Sequence, residues 1–548
     1  MLQTIISRYD SLSADKQSVS LLLRRTDSGP LDERNKAILK ELELGVDHDL
    51  ACINADISHF TDALRQLTEK RCLLEEAKRK HQAALSPIST LPLEILTDVF
   101  RYAASDPINI FDAKHPAWSI SKVSQPWRSI TTRLCPDIWT RISIEFFSDP
   151  MHAVDVISLL DAVLSRSNQS KLEITMAFGC PNLMHFSTQE LQREVWTLLT
   201  MHAERWGKLH LSVSPSDAHV LYDLQGHKLL SLQDCDVDCY DAGDFEMKPS
   251  QITAFEHTPE LTHMSLKGIN PDTVVPITTA KLERFRYRTE PYEGDGWVVG
   301  DGIPLEYFFD ILRSSPKLAV FDVFHEYSSY ATVSPRIIKP TLSKLVVNGT
   351  AFLRSLSLPA LKDASLFSDS GDHDGPPGPP SAFLADFHDL LVQSRCSSLS
   401  RLLISVDILD QHLFSILELA PTLISFELRQ RHGTWNDQCD VVMQEFIVQL
   451  ANVETFVPLL EEFVLKLSIA GEVDIHFVDD AMVNMIAARR HRSLRKFRLD
   501  TDYARFCNLG KDGIERLKAF MADGLDVAVI SMDKCVYPDP NSYLPFQV

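Results

Sequence analysis

Apolar residues from Leu261 onward follow one short pattern, Leu-x-x-φ-x-φ, in which φ is an apolar residue. The pattern occurs nine times. Its last two apolar positions are two residues apart, which is the spacing of side chains on one face of a β-strand. Each copy therefore predicts a short strand with one buried face. The leading leucines are Leu261, Leu282, Leu318, Leu342, Leu361, Leu399, Leu423, Leu460 and Leu494.

A proline stands two residues before the leading leucine in six of the nine copies. Unrelated strands would not share this offset, so we interpret the copies as repeats of one structural unit. Successive leading leucines are 19 to 38 residues apart, and the longer intervals leave room for a helix. Apolar runs at 308–312, 387–391 and 443–450 predict such helices. The prolines are Pro259, Pro316, Pro340, Pro359, Pro421 and Pro458.

Degenerate copies precede these nine, around Leu172, Leu209 and Leu232. One unit cannot bury its apolar face alone, whereas stacked units form a continuous core. We therefore expect an α/β fold in which residues 142–533 form a curved, mostly parallel-stranded solenoid. A conventional α/β domain is the alternative.

A different period appears near the N-terminus, where apolar residues alternate three and four apart between Leu50 and Leu85. This heptad spacing predicts a coiled-coil-like helix within residues 31–86, ending near Ser86 because Pro87 disfavours helical geometry there. The helix could pair with a second copy to form a homodimer or pack on the rest of the chain, and the pattern does not decide between them. Residues 1–30 have no comparable period and are expected to be loosely ordered.

Residues 87–141 combine a Leu-Pro start with three tryptophans. A helix is predicted over residues 92–104, with Pro92 in its first turn. Its apolar residues fall on two faces, whereas a surface helix needs only one. Trp118, Trp127 and Trp139 follow within 22 residues, and such aromatic clusters are favoured in interfaces.

The run from Leu91 to Phe100, followed by Val-Ser-Gln-Pro-Trp-Arg at 123–128 and Pro-Asp-Ile-Trp at 136–139, resembles an F-box of the F-box-like type that is expanded in fungi. The resemblance implies a small helical module that docks onto a Skp-type adaptor of a cullin–RING ubiquitin ligase. The sequence departs from the F-box pattern at two places. One is the Ser124–Pro126 tripeptide, where a helix interruption is expected, and the other is a long irregular segment over residues 105–118. An ordinary small helical domain is the alternative. The adaptor-binding residues that the resemblance implies are Leu91, Pro92, Ile95, Leu96, Val99, Phe100, Val123, Trp127 and Ile130.

The repeats resemble the irregular leucine-rich repeats that follow F-boxes. Together the two resemblances predict the substrate-recognition subunit of a Skp–cullin–F-box ubiquitin ligase, in which the repeat domain binds an unknown target protein. The alternative is a protein-interaction scaffold without ligase recruitment that self-associates through the helix at residues 50–85. Neither function makes this chain an enzyme.

Composition narrows the class of partner. The formal net charge is −21 over 548 residues, which argues against nucleic-acid or anionic-membrane binding. The first residues lack the features of a secretory signal, no apolar stretch is long enough to cross a bilayer, and the ten cysteines are scattered. These features predict a soluble protein of the cytoplasm, the nucleus or both, with reduced thiols.

No phosphate loop, zinc helix or nucleophile elbow occurs in the sequence, and no cofactor or metal is predicted. The segment 234–241 begins like a calcium loop, but Cys239 and Phe245 stand where that loop needs Gly and Glu. Cys235 and Cys239 are better explained as buried residues of a repeat.

One basic cluster opposes the global charge. Its residues could form a patch for an acidic partner, or they could be a solvated helix end that the helix dipole favours. Residues 368–381 are rich in Gly and Pro and are expected to be a flexible insertion, and residues 534–548 a cap or tail. The cluster consists of Arg489, Arg490, Arg492, Arg495, Lys496 and Arg498.

Overall fold

The structure is a computed structural model. It describes residue 7 and residues 32–146, 155–178, 186–214, 219–239, 251–269, 273–289, 303–324, 335–368, 382–430, 435–467, 473–501, 504–506, 509–531 and 534–537. The chain divides into two compact units, Met1–Leu96 and Thr97–Val548. Apart from Ser7 and Ser368, the predicted N-terminal segment 1–30 and the insertion 368–381 lie outside the described residues.

The first unit contains a single long helix, α1 (Glu33–Ala84), of 52 residues. Most of its apolar heptad residues, Leu64 and Leu67 among them, are exposed, whereas Ile53 and Phe60 are partly buried. The helix ends before Pro87, and a short 3₁₀ helix, Pro87–Thr90, follows. Proline lacks the N–H donor that a helix interior needs, so this end agrees with the expectation.

The second unit is built on one sheet of sixteen strands. Its strands follow one another in chain order, and every neighbouring pair is parallel except the last, β19 with β20. The strands are β1 (Ile108–Asn109), β2 (Arg141–Glu145), β3 (Leu172–Ala177), β4 (Trp206–Val213), β5 (Asp234–Cys239), β6 (His263–Lys267), β7 (Arg284–Arg288), β8 (Val320–Phe324), β10 (Lys344–Asn348), β12 (Asp363–Phe367), β13 (Arg401–Val406), β14 (Ser425–Gln430), β15 (Glu462–Leu467), β17 (Lys496–Thr501), β19 (Asp526–Ser531) and β20 (Lys534–Tyr537).

Four short strands form two separate two-stranded sheets, β9 (Ile337–Ile338) with β11 (Leu356–Ser357) and β16 (Val473–Ile475) with β18 (Ala504–Phe506). Helices connect many of the main strands. The helices after α1 are α2 (Leu93–Ala103), α3 (Pro116–Val123), α4 (Gln125–Arg133), α5 (Val156–Arg166), α6 (Phe186–Thr200), α7 (His219–Asp223), α8 (Leu305–Ser314), α9 (Thr350–Ser355), α10 (Phe383–Ser394), α11 (His412–Glu418), α12 (Asp437–Asn452), α13 (Asp480–Arg490) and α14 (Lys511–Ala522). The boundary between the two compact units falls within α2.

The predicted α/β class, long N-terminal helix and large parallel sheet are confirmed. All nine copies of the repeat pattern coincide with strands, and their φ residues are buried. Corresponding φ positions also lie beside each other on neighbouring strands. Phe426, for example, pairs in register with Phe463, and Phe463 pairs with Phe497.

The fixed proline offset has a local cause. The leading leucine donates its N–H to the carbonyl three residues earlier, as Leu261 does to Thr258 at 3.1 Å and Leu423 to Ala420 at 3.1 Å. The proline is then the second residue of a four-residue turn, a position that favours its fixed φ and needs no N–H donor. Each turn therefore directs the chain into the strand that follows it.

Helices cover one face of the sheet. Phe446 of α12 packs against Phe426 and Phe463, with ring centroids 6.0 and 5.5 Å apart. Phe352 of α9 packs against Phe321 of β8 at 5.5 Å. These strand residues occupy φ positions, so the φ face forms the core, and the intervening side chains form the face turned away from the helices, here called the outward face.

The sheet extends further than the predicted range of 142–533. It begins with β1 in the segment that was expected to be irregular, and it ends with β20 in the segment expected to be a cap or tail. Buried tryptophans stand just before β2 and at the start of β4, where Trp139 and Trp206 lie three residues before the buried Ile142 and Leu209. Tryptophan there takes the position of the leading leucine, which is why a search for leucine missed β2.

Candidate functional site

The helix α2 has one buried and one exposed apolar face. Leu96 and Phe100 are buried, whereas Ile95, Val99 and Tyr102 are 48%, 41% and 86% exposed. The exposed three follow one another at helical spacing and therefore share a side of the helix. A helix that packs only within its own domain needs a single apolar stripe, so the second stripe is available to a partner.

The second predicted motif lies on two short helices that pack together, α3 and α4. The Ser124 hydroxyl between them accepts the N–H of Trp127 at 3.3 Å and caps α4. Pro126 lies in the first turn of α4, where its missing N–H would have no acceptor within the helix. The expected interruption is thus a helix boundary, with α3 ending at Val123 and α4 beginning at Gln125.

The predicted adaptor-binding residues differ in burial. Leu96, Phe100 and Ile130 are buried, so their side chains are not at the surface of the described structure. The sequence motif combines residues of both kinds, and its pattern did not separate them. Tyr102 was not among the predicted contacts, although its helical spacing from Ile95 and Val99 can be read from the sequence. The predicted residues that remain at least partly exposed are Leu91, Pro92, Ile95, Val99, Val123 and Trp127.

Within the second unit, residues 97–140 are tied to the sheet at two places. Strand β1 pairs with β2, and the Arg166 guanidinium of α5 lies over the rings of Trp118 and Trp139, at 4.8 and 4.6 Å from their centroids. Burial lowers the pKa of Arg166. The Trp139 indole also donates to the Thr131 carbonyl at 2.8 Å. Together these contacts fix the orientation of α3 and α4 relative to the sheet.

The outward face of the sheet carries charged side chains in rows. On β5, the alternating residues Asp234, Asp236 and Asp238 occupy this face. Asp236 accepts a hydrogen bond from His210 of β4 at 3.1 Å, and this bond raises the pKa of His210. Lys267 of β6 lies 3.5 Å from Asp238, so much of this acidic row is paired.

Strand β7 carries the opposite charge, with Arg284, Arg286 and Arg288 at its outward positions. Asp322 of β8 accepts from the Nε atoms of Arg286 and Arg288 at 2.9 and 3.1 Å. Its carboxylate is only 1% exposed, whereas both arginine side chains remain nearly half exposed. Sequence reasoning missed this row, although the Arg-Phe-Arg-Tyr-Arg alternation lies within a recognised repeat.

Arg489 does not belong to the predicted basic patch, because its side chain is 1% exposed. Its guanidinium reaches across to the end of α12 and donates to the carbonyls of Leu450, Val453, Phe456 and Val457, at 2.7, 3.0, 2.7 and 3.1 Å. Burial lowers the pKa of Arg489. Arg489 therefore satisfies the carbonyls at a helix end and is a structural residue.

Four other arginines of the cluster pair with carboxylates. Arg490 binds Asp523 at 2.7 Å and lies over the Phe520 ring. The other pairs join Arg492 to Glu454, Arg495 to Glu461 at 3.6 Å and Arg498 to Asp526 at 3.4 Å. A cleft of about 390 Å³ among these side chains is also lined by Glu461. The charge of the cluster is therefore largely neutralised, which weakens the prediction that it forms a patch for an acidic partner. On β17, Lys496 is the residue of the cluster that has no ion pair among the described residues.

The suspected calcium segment is a strand, since Asp234–Cys239 forms β5. Cys235 and Cys239 are buried, and burial raises the pKa of Cys239 to about 12. Within the described ranges, His, Cys, Asp and Glu side chains form no group suited to holding a metal ion. None of the helices in this part of the chain is both long and apolar enough to span a membrane.

Comparison with protein-family models gives no match to this chain, and neither does comparison with curated proteins.

We expect the Arg489→Met substitution to lower the free energy of unfolding by about 3 kcal/mol, because it leaves buried carbonyls without a donor. Urea unfolding monitored by circular dichroism measures this loss. Arg492→Met is the matched control, since that side chain is exposed and should change stability by about 0.5 kcal/mol at most. Equal effects of the two substitutions would contradict the structural role of Arg489.

Proposed function

We propose that the chain is the substrate-recognition subunit of a Skp–cullin–F-box type ubiquitin ligase. In this proposal residues 87–141 are an F-box-like module that docks onto a Skp-type adaptor, and the sheet with its helices is an irregular leucine-rich-repeat solenoid that binds the target protein. The exposed apolar stripe of α2 is the observation that carries the proposal.

The stripe supports docking because a partner would remove the exposed side chains of Ile95, Val99 and Tyr102 from water. Covering apolar surface is favourable by roughly 25 cal/mol per Å², and aromatic side chains such as Tyr102 and Trp127 are common anchors of interfaces. The Leu-Pro start and the spacing to Trp127 agree with the F-box-like resemblance.

The sheet supports a role in target recognition. Its strands align in register, so its outward face presents a long series of side chains from consecutive repeats. Repeat proteins of this construction use such extended faces for binding. The rows of charge on β5 and β7 give this face a distinct chemistry.

The function requires no catalytic residue in this chain. The adaptor and cullin–RING subunits would supply the ubiquitin-transfer chemistry, and this chain would hold the target close to them in a fixed orientation. The contact of Arg166 with Trp118 and Trp139 supports this role, because a flexible connection between residues 97–140 and the sheet would not preserve the orientation of the target.

We expect the double substitution Ile95→Asp with Val99→Asp to weaken adaptor binding by about 100-fold, since it places two charges in the proposed apolar contact. Co-purification and calorimetry with a recombinant Skp-type adaptor measure this. The two residues are exposed, so the variant should keep the circular dichroism spectrum of the unsubstituted chain.

The matched control is Leu230→Asp with Val392→Asp, two apolar residues of the second unit that are exposed to a similar degree. This control should bind the adaptor as the unsubstituted chain does. Unchanged binding by the Ile95 and Val99 variant, or no binding by the unsubstituted chain, would refute the docking proposal.

A non-ligase scaffold is the second candidate, and the exposed heptad residues of α1 favour it. Leu50, Ile57, Leu64, Leu67 and Leu74 are all exposed along this helix, although helices of this spacing gain stability by pairing. A second copy of the chain could cover them, which would make the protein a dimer whose sheets bind partners without a ligase.

Light scattering of the purified chain tests this self-association. A dimer has twice the chain mass of 61.9 kDa, and Leu64→Asp with Leu67→Asp should return it to the monomer, because charges would enter the paired seam. A monomeric unsubstituted chain would remove the scaffold candidate while leaving adaptor docking possible.

A further inference from the structure

The arginine row of β7, defined as Arg284, Arg286 and Arg288, is a local reversal of charge in a strongly acidic chain. At the outward positions of β6, β7, β8 and β10, Asp322 is the one carboxylate among these described strands. Lys267 and Lys344, the other cations there, pair with Asp238 of β5 and Asp363 of β12 at 3.5 and 3.0 Å, so the excess positive charge lies on β7. This part of the outward face is therefore positive although the chain carries −21 overall.

Asp322 orients Arg286 and Arg288 but does not neutralise the row. One carboxylate is shared by two guanidinium groups, through Arg286 Nε, Arg288 Nε and Arg288 Nη2. Within the part of the chain that the structure describes, both Nη groups of Arg286 are left for another acceptor and Arg284 has no ion pair. Arginine held in a fixed orientation is well suited to carboxylates, because its planar donors match their two oxygens.

An aromatic pair adjoins the row. Arg288 pairs in register with Phe324 of β8, and the Phe324 ring meets the Phe367 ring of β12 edge to face, with centroids 5.4 Å apart. Both phenylalanines lie on the outward face and are partly exposed. Fixed cations thus stand beside a partly exposed apolar surface.

We propose that the arginine row and the Phe324–Phe367 pair bind an extended acidic segment of the target protein. Carboxylates of the segment contact Arg284 and Arg286, and an apolar side chain lies against the phenylalanines. Charge complementarity selects this partner over a basic or neutral segment. The inference rests on the proposed role of the outward face in target recognition and adds the chemistry of the target.

Fluorescence anisotropy with the full-length chain tests the inference. The probe is a fluorescein-labelled peptide of three Glu-Glu-Phe-Gly repeats, compared with its Lys-Lys-Phe-Gly counterpart. We expect binding of the acidic peptide only, weakened by added salt. Arg284→Gln with Arg286→Gln should reduce the affinity about tenfold, since two charge-assisted contacts are lost.

The matched control is Arg429→Gln with Lys466→Gln, which removes the same charge from the outward face of β14 and β15. Those two cations already pair with Glu427, at 2.8 and 3.2 Å, so the affinity should stay within about twofold. Equal loss in both variants, or binding of the basic peptide as well, would overturn the inference.

Two further outcomes would also overturn it. The first is binding restricted to a phosphoserine version of the peptide, which would assign the row to phosphoryl groups. The second is binding that appears only after Glu290, Glu293, Asp295 and Asp301 are neutralised, which would make a segment of this chain the occupant. Adaptor binding is measured in parallel, so failure of docking with intact peptide binding would refute the ligase function and leave this inference standing.

Discussion

Backbone pairing in a common register is the constraint on which the rest of this structure depends. In the middle and later parts of the sheet, the carbonyl just before each strand accepts two N–H groups where the next strand starts. The Glu283 carbonyl, for example, accepts from Ala319 and Val320 at 2.8 and 3.1 Å. Each step sets the register of the next, so the buried φ residues meet their counterparts. A shift of one residue would turn every apolar side chain of a strand to the outward face.

This constraint separates the core positions of the sheet from its outward positions. Positions that face the helices are apolar and pack with aromatic residues such as Phe426 and Phe446, whereas the outward positions are free to carry charge. The arginine row of β7 and the acidic row of β5 exist because the ladder keeps their side chains in line. The same pairing begins at β1, so residues 97–140 join the sheet directly, and Arg166 reinforces that joint through Trp118 and Trp139.

The sequence predicted those parts of the fold that local chemistry specifies. Strand positions followed from two-residue alternation, and the prolines marked the turns because the second turn position favours their fixed φ. β1 was missed because two residues are too few to show a period, and β2 because Trp139 stands in the leucine position. The burial of Arg489 depends on carbonyls more than thirty residues earlier in the chain, a distance at which no sequence pattern indicates a contact. Which residues of the proposed docking motif are exposed was only partly predictable, since Leu96 and Ile95 are adjacent in sequence but differ in burial.

Native-state hydrogen exchange, followed by mass spectrometry on the full-length chain, tests the continuous ladder most directly. If the register of each strand depends on its neighbours, the amides of β2 to β8, β10, β12 to β15 and β17 exchange slowly as a continuous series, and the two-residue end strand β1 exchanges faster. Rapid exchange in an interior strand such as β10, with slow exchange on both sides, would divide the sheet into independent parts and contradict the account.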